Sequence, residues 1–146
     1  MTSSYSMNDP EDQTSTHSDQ RLKLGAQGEQ IALTYLEEDG YILEAKNWRG
    51  QRGELDLIMR QGSSLVIAEV RTTSTRWLDR PAEATPMSKQ RQVARCADEY
   101  CHQRHPNAPE IFDIRFDVIG VLMNADSPHA PEIDHVENAY YSPFAF

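Results

Sequence analysis

The sequence predicts an α/β fold, a mixed β-sheet flanked by helices in the order αβββαβ. Three observations predict it. Apolar residues recur at helical spacing in two stretches, near residues 19–39 and 87–105. Four runs rich in Leu, Ile and Val read as strands. Three of those runs lie between the two helices and the fourth follows the second helix. Such an order belongs to layered α/β architectures.

Met1 to His17 is rich in Ser, Thr, Asp and Asn with almost no aliphatic residues, the composition of a disordered acidic tail. Ser18 or Asp19 then offers an N-cap. Leu22, Ala26, Leu33 and Leu36 recur at helical spacing until Asp39-Gly40 supplies a stop. Gly25 and Gly28 interrupt this helix at a cost of about 1 kcal/mol each, so another backbone, from the sheet or a ligand, is expected close by. "YILEAKNW" is a first strand, Gly50 to Gly53 a turn, and "ELDLIM" with "SLVIAEV" a hairpin. The polar stretch from Thr73 to Pro86 is long enough to carry function. Met87 to about His105 is the second helix, ended by Pro106, with Val93, Ala94, Ala97, Tyr100 and Cys101 inward and Lys89, Arg91 and Arg95 outward. "RFDVIGVLM" is a buried strand, and "EIDHVENAYY" is either a last edge strand or a docked tail.

With 146 residues, 38% of them hydrophobic and 25% charged, the chain suits one domain with one core, expected over residues 18–123 with an acidic extension at 124–146. No apolar run is long enough to span a bilayer, and no basic patch followed by an apolar segment opens the sequence. These features point away from membranes and secretion and towards the cytoplasm. Cys96 and Cys101, on one helix but pointing in different directions, are expected as free thiols.

The net charge of −9 argues at first against nucleic acid. Its distribution argues the other way. The first twenty residues and those from Asn124 onward carry acids and no Lys or Arg, whereas Lys46 to Arg95 holds ten basic residues against five acids. Three of those acids, Glu54, Asp56 and Glu69, fall in one stretch, "GELDLIMRQGSSLVIAEVRTT". A cationic segment of this kind is either a solvated surface or a polyanion site.

Side chains alternate along a strand, so Glu69 and Arg71 share a face. If Arg60 pairs with Leu65 across the hairpin, the register counts back to Asp56 opposite Glu69. A shorter loop at Gln61 and Gly62 sets Glu54 there instead. Either way acids cluster, at a separation where like charges repel. A hard divalent cation between them would relieve this, and so would a structural ion network through Arg71.

At this point "GAQGEQIALTYLEEDGY", "NWRGQRGELDLIMR", "LVIAEVRTTS", "EATPMSKQRQVARCADEYC" and "RFDVIGV" resemble, in that order, the blocks of the YraN-like bacterial proteins. The resemblance spans about Leu24 to Val121. It implies the three-layer, restriction-endonuclease-like core of the PD-(D/E)xK superfamily, which also holds archaeal Holliday junction resolvases. It further implies Glu29 as accessory acid, Asp56 as central metal ligand, Glu69 as second ligand, and position 71 as the superfamily's lysine. Glu54 of the "GELD" block could join the ligands. The departure is Arg71, since arginine stays protonated and can orient or stabilise charge but not take a proton. Either the divalent ion acidifies the attacking water sufficiently, or Lys89 reaches the site; Lys89 could equally contact phosphate.

The expected function is therefore a nucleic-acid-binding protein, an Mg²⁺- or Mn²⁺-dependent DNA endonuclease acting on structured or damaged DNA. Arg49, Arg52, Arg76, Lys89, Arg91 and Arg95 would grip the strand, and a homodimer is expected by analogy with resolvases. The alternatives are a non-catalytic DNA-binding module with a degenerate site and a protein–protein adaptor. Trp48 and Trp77 either stack on bases or pack. Cys101, His102 and His105 lack the second pair a zinc site needs. His129 and His135 read as incidental. No GxSxG, P-loop or GxGxxG motif is present.

Overall fold

The computed structural model describes residues 10–74, 85–107, 113–123 and 131–142, with side chains from Ser18 onward. The chain forms α1 (Pro10–Glu38), β1 (Ile42–Arg49), β2 (Glu54–Gln61), β3 (Ser64–Thr73), α2 (Met87–Arg104), β4 (Asp113–Leu122) and β5 (Glu132–Tyr140). α1 starts at Pro10, where the fixed φ and missing N–H of proline suit a first helical turn. Because no Gly or Pro follows before Gly25, residues 10–17 continue the helix and do not form the expected tail.

Gly62 and Ser63 make the turn between β2 and β3, and Gly62 takes a positive φ of 58° at the first turn position. The turn pairs Gln61 with Ser64 and Arg60 with Leu65, the register that counts to Asp56 opposite Glu69. β1 lies antiparallel to β2, β4 parallel to β3, and β5 antiparallel to β4. β3 and β4 can run parallel because α2 carries the chain back between them. The sheet therefore has five strands in the order β1-β2-β3-β4-β5, and "EIDHVENAYY" supplies the edge strand.

One helix covers each face. Ala32, Leu33 and Leu36 of α1 pack with Tyr41 on Leu57, Met59, Val66, Ala68, Ile119 and Val121. Val93, Ala94, Cys96, Ala97 and Tyr100 of α2 pack on the opposite face, over Leu65, Ile67, Phe116 and Val118. This is a three-layer α/β core with a mixed sheet. Trp48 belongs to the α2 layer, edge-on to Tyr100 at 5.3 Å, so it packs and is not offered to a base. Trp77 and Arg76 lie outside the described residues. Both cysteines are free thiols, Cys96 buried and Cys101 half-buried.

The two glycines of α1 differ. A methyl group at Gly28 would collide with Thr72 of β3, whereas at Gly25 it would meet nothing. Gly28 is thus a point of close approach, though to the Thr72 side chain and not to the backbone the sequence implied, and it brings the next residue, Glu29, to the end of the sheet where β3 finishes.

Candidate active site

The site begins where β2 stops behaving as a regular strand. Leu57 and Met59 face the α1 layer while Leu55 and Ile58 both face the α2 layer, so alternation breaks at Asp56. On the neighbouring strand, Asn47 has a φ of +50°, a conformation Asn tolerates. It turns β1 so that Ala45 and Trp48 both pack on the α2 side. The β2–β3 ladder ends at Leu57 and Ala68. Beyond that pair, the Val70 N–H donates to Asp56 Oδ2 at 2.9 Å, so a side chain takes the place of a ladder acceptor. The break thus brings the amino end of β2 beside the carboxyl half of β3.

Asp56 is half-buried and its carboxyl is pushed up to about 6. Burial is the main cause, and the Val70 hydrogen bond acts against it. The charges of Glu29 from α1, Glu69 from β3 and Glu54 from its own strand then add to the rise. Acids from three elements therefore bear on one carboxylate. Glu69 is met by Arg71 at 3.4 Å, and Arg71 also donates to Thr85 Oγ1 at 2.7 Å, just before α2 begins. The tie from β3 to the start of α2 is short and polar. Glu54 is paired with Arg49 at 3.3 Å on the exposed rim, with 39% of its side chain accessible.

Among the described residues, no group of three or more His, Cys, Asp and Glu side chains is placed to hold a metal ion. Mg²⁺ does not require one, since it is commonly held by one or two carboxylates with the remaining positions left to water and substrate phosphate. The donor set fits such an ion: hard oxygens, a crowded negative potential, and a carboxylate whose charge is under-compensated in the fold.

Beside these acids the Gly50–Gly53 turn is fastened to α2. The Gln51 N–H donates to Glu99 Oε1 at 2.9 Å, and Gln92 Nε2 donates to the Arg52 carbonyl at 3.3 Å. Between turn and helix lies a cleft of about 440 Å³ lined by Arg52, Ser88, Arg91, Gln92 and Arg95. Three of the residues expected to grip a strand are thus gathered in one place. Lys89 is half-buried on the first turn of α2, while Arg49 stays at the rim with Glu54.

Residues 28–121 match the family described as "Uncharacterised protein family UPF0102". The chain belongs to the UPF0102 family, the YraN-like proteins. It is 39% identical over 116 residues to a UPF0102 protein of Porphyromonas gingivalis, covering 80% of this chain and 82% of that one. It is 36% identical over 121 residues to one of Bacteroides thetaiotaomicron, covering 83% and 94%. A third, from Rhodococcus opacus, is 39% identical over 121 residues, covering 82% and 97%. The UPF0102 match starts at Gly28 and ends in β4, so it contains Glu29, Asp56, Glu69, Arg71 and the whole of α2.

In this UPF0102 chain two buried polar networks escaped the reading of the sequence. Asp117 is fully buried and accepts from Arg115 Nε at 2.9 Å and Nη2 at 2.8 Å, from His135 Nε2 at 2.8 Å, and from the Asn138 N–H at 3.0 Å. A carboxylate can only accept, so His135 carries its proton on Nε2, and its Nδ1 meets the Tyr35 hydroxyl at 3.1 Å. Arg115 goes on to Tyr41 and Gln61. His135 is therefore not incidental: it ties β5 to β4 and α1. The available signal was Arg-x-Asp in a buried strand, two charges on one face. The second network joins Glu44 of β1 to Tyr100 at 2.6 Å, His105 at 2.9 Å and Arg60 at 3.4 Å. It engages His105, while His102 turns to Asp98 at 3.7 Å. No helix among the described residues is long and apolar enough to cross a membrane.

Proposed function

We propose that the chain is a divalent-metal-dependent nuclease that hydrolyses phosphodiester bonds of DNA in the cytoplasm. The observation that carries the reading is the convergence of Glu29, Glu69 and Glu54 charge on Asp56 at a break in the sheet. The three-arginine cleft beside it supports the choice of a polyanionic substrate.

Asp56 and Glu69 are the residues that would hold Mg²⁺ or Mn²⁺, with Glu29 adding negative charge from α1. Such an ion, when bound, acidifies water and neutralises charge at a phosphate. The protein's own contribution is positional. The Val70 N–H fixes one oxygen of Asp56, and Gly28 against Thr72 fixes the height of Glu29. Arg71, held by Glu69 and Thr85, presents a permanent positive charge for the oxygens of the reacting phosphate. Arginine keeps its proton, so Arg71 stabilises charge and does not act as a base. Arg52, Arg91 and Arg95 bind the flanking strand.

The test is cleavage of branched and gapped DNA by the purified protein in Mg²⁺ or Mn²⁺. Wild type is expected to cleave, Asp56→Asn to be inactive, and Arg71→Ala to be slower by roughly 10²-fold. A wild type inert with both ions, or an Asp56→Asn protein as fast as wild type, overturns the reading. Arg71 in the lysine position favours a second reading, a DNA-binding module without catalysis. It predicts salt-sensitive DNA affinity with no cleavage.

A further inference from the structure

One buried side chain beside the candidate site has no part in the reaction described above. Tyr140 closes β5, is 8% exposed, and packs in the α2 layer with Ile67, Phe116 and Val118. Register fixes its place. Tyr140 pairs with Phe116 of β4 and Phe116 with Ile67 of β3, so the three stand in one row across the sheet. Val66, Ala68 and Val70 face α1, so Glu69 and Arg71 share the α2 face with Ile67, one and two steps further along β3. Two strand spacings, about 10 Å, lie between β5 and β3, a gap that a phenol and a glutamate side chain reaching towards each other can close. The phenol lies flat on Phe116, with 5.2 Å between ring centres and 15° between their planes. Among the described residues, Glu69 and Arg71 are the charged groups that act on its hydroxyl.

That hydroxyl differs from the other phenols packed on the sheet. Tyr35 meets His135 at 3.1 Å, Tyr41 meets Arg115 at 2.6 Å and Tyr100 meets Glu44 at 2.6 Å, whereas the Tyr140 oxygen has no hydrogen-bond partner among the described residues. Buried phenols usually find one. Phenylalanine would stack on Phe116 equally well with no oxygen to desolvate, so packing alone does not call for tyrosine here. Burial and the Glu69 charge hold the phenol's proton more tightly than usual, against the pull of Arg71, so the group is a donor that lacks an acceptor. The acceptor that belongs beside a guanidinium and a carboxylate-held cation is an anionic phosphate oxygen.

We propose that the Tyr140 hydroxyl donates to a non-bridging oxygen of the phosphate bound at Glu69 and Arg71, which makes β5 part of the nucleic-acid site. This rests on the nuclease reading above and adds to it a residue that touches the substrate.

Tyr140→Phe tests the proposal, because it removes the oxygen and keeps the stack. In thermal denaturation the full-length variant is expected to melt no lower than wild type. A clear drop would mean that the hydroxyl is tied into the fold, and overturns the proposal. Affinity for fluorescein-labelled hexathymidylate is read by anisotropy in Ca²⁺, with the oligonucleotide checked by electrophoresis to remain intact. The variant is expected to bind roughly ten-fold more weakly, the size of one hydrogen bond to a charged acceptor. Equal affinity overturns the proposal. In wild type labelled with fluorotyrosine, the ¹⁹F resonance that Tyr140→Phe removes is expected to shift when hexathymidylate is added, and a resonance that stays in place also overturns it. Cleavage is measured separately in Mg²⁺. A variant that cleaves as fast as wild type sinks only the role of Tyr140, and a wild type that binds through Tyr140 but never cleaves sinks only the nuclease.

Discussion

Asp56→Asn raises the melting temperature at pH 8, and its advantage fades between pH 6 and pH 4. The sign follows from linkage. The Asp56 carboxyl sits at about 6 in the folded chain against an ordinary value of 3.8, so the folded protein holds this proton more tightly than the unfolded one. Stability therefore falls as pH rises through that interval, and above it the ionised carboxylate costs its full penalty. The size is about 1–3 kcal/mol, a gain of roughly 3–10 °C on removing the charge. Asparagine keeps an oxygen for the Val70 N–H, so the substitution removes charge while leaving an acceptor in place. Thermal denaturation of both proteins across this pH range measures the effect. A variant less stable than wild type at pH 8 would mean that the surroundings compensate the Asp56 charge. The same substitution is the one expected to stop cleavage, and a residue that costs stability yet is needed for activity marks a site selected for function.

Asp117→Ala costs about 3–5 kcal/mol, since it leaves Arg115 and His135 buried without the carboxylate both of them face. Burial would push the Asp117 carboxyl up. Hydrogen bonds from His135, Arg115 and the Asn138 N–H outweigh it and hold the group below its ordinary value. Its contribution is therefore complete above the unfolded value near 4 and is lost as pH falls further. Asp117→Asn, which keeps an acceptor, costs less. Urea denaturation at pH 7 distinguishes the cases, and a loss under about 1 kcal/mol for the alanine variant would show that the network contributes little. The consequence is local as well as global. β5 is held to β4 through this network and through Tyr140 stacked on Phe116 at 5.2 Å, and the Tyr140 hydroxyl senses Glu69 and Arg71. Loosening β5 therefore disturbs the floor of the candidate site.

Much of this was legible in the residues because the signals were local. Period-two alternation gave the hairpin and narrowed its register to two choices, of which the Gly62–Ser63 turn takes the one that counts to Asp56 opposite Glu69, and the helical repeat with Pro106 gave α2 within a residue of its end. Gly28 announced close packing, though nothing in sequence separated it from Gly25, whose surroundings are open. What could not be read were features made by distant segments. His135 lies a hundred residues from Tyr35 and eighteen from Asp117, and only the docking of β5 reveals it as a partner. The start of α1 was misplaced because polar composition resembles a tail even where nothing breaks a helix. The break at Asp56 was invisible because strand patterning assumes regular alternation, and alternation fails at the residue that matters most.

Whether the acids at that break hold a divalent ion is measured most directly by isothermal titration of Mn²⁺ at pH 6, in buffers of different ionisation enthalpy. Uptake at one saturable site, with release of about half a proton as Asp56 ionises, and loss of that uptake in Asp56→Asn, is the predicted result. No saturable uptake by wild type, or uptake unchanged in Asp56→Asn, would contradict it.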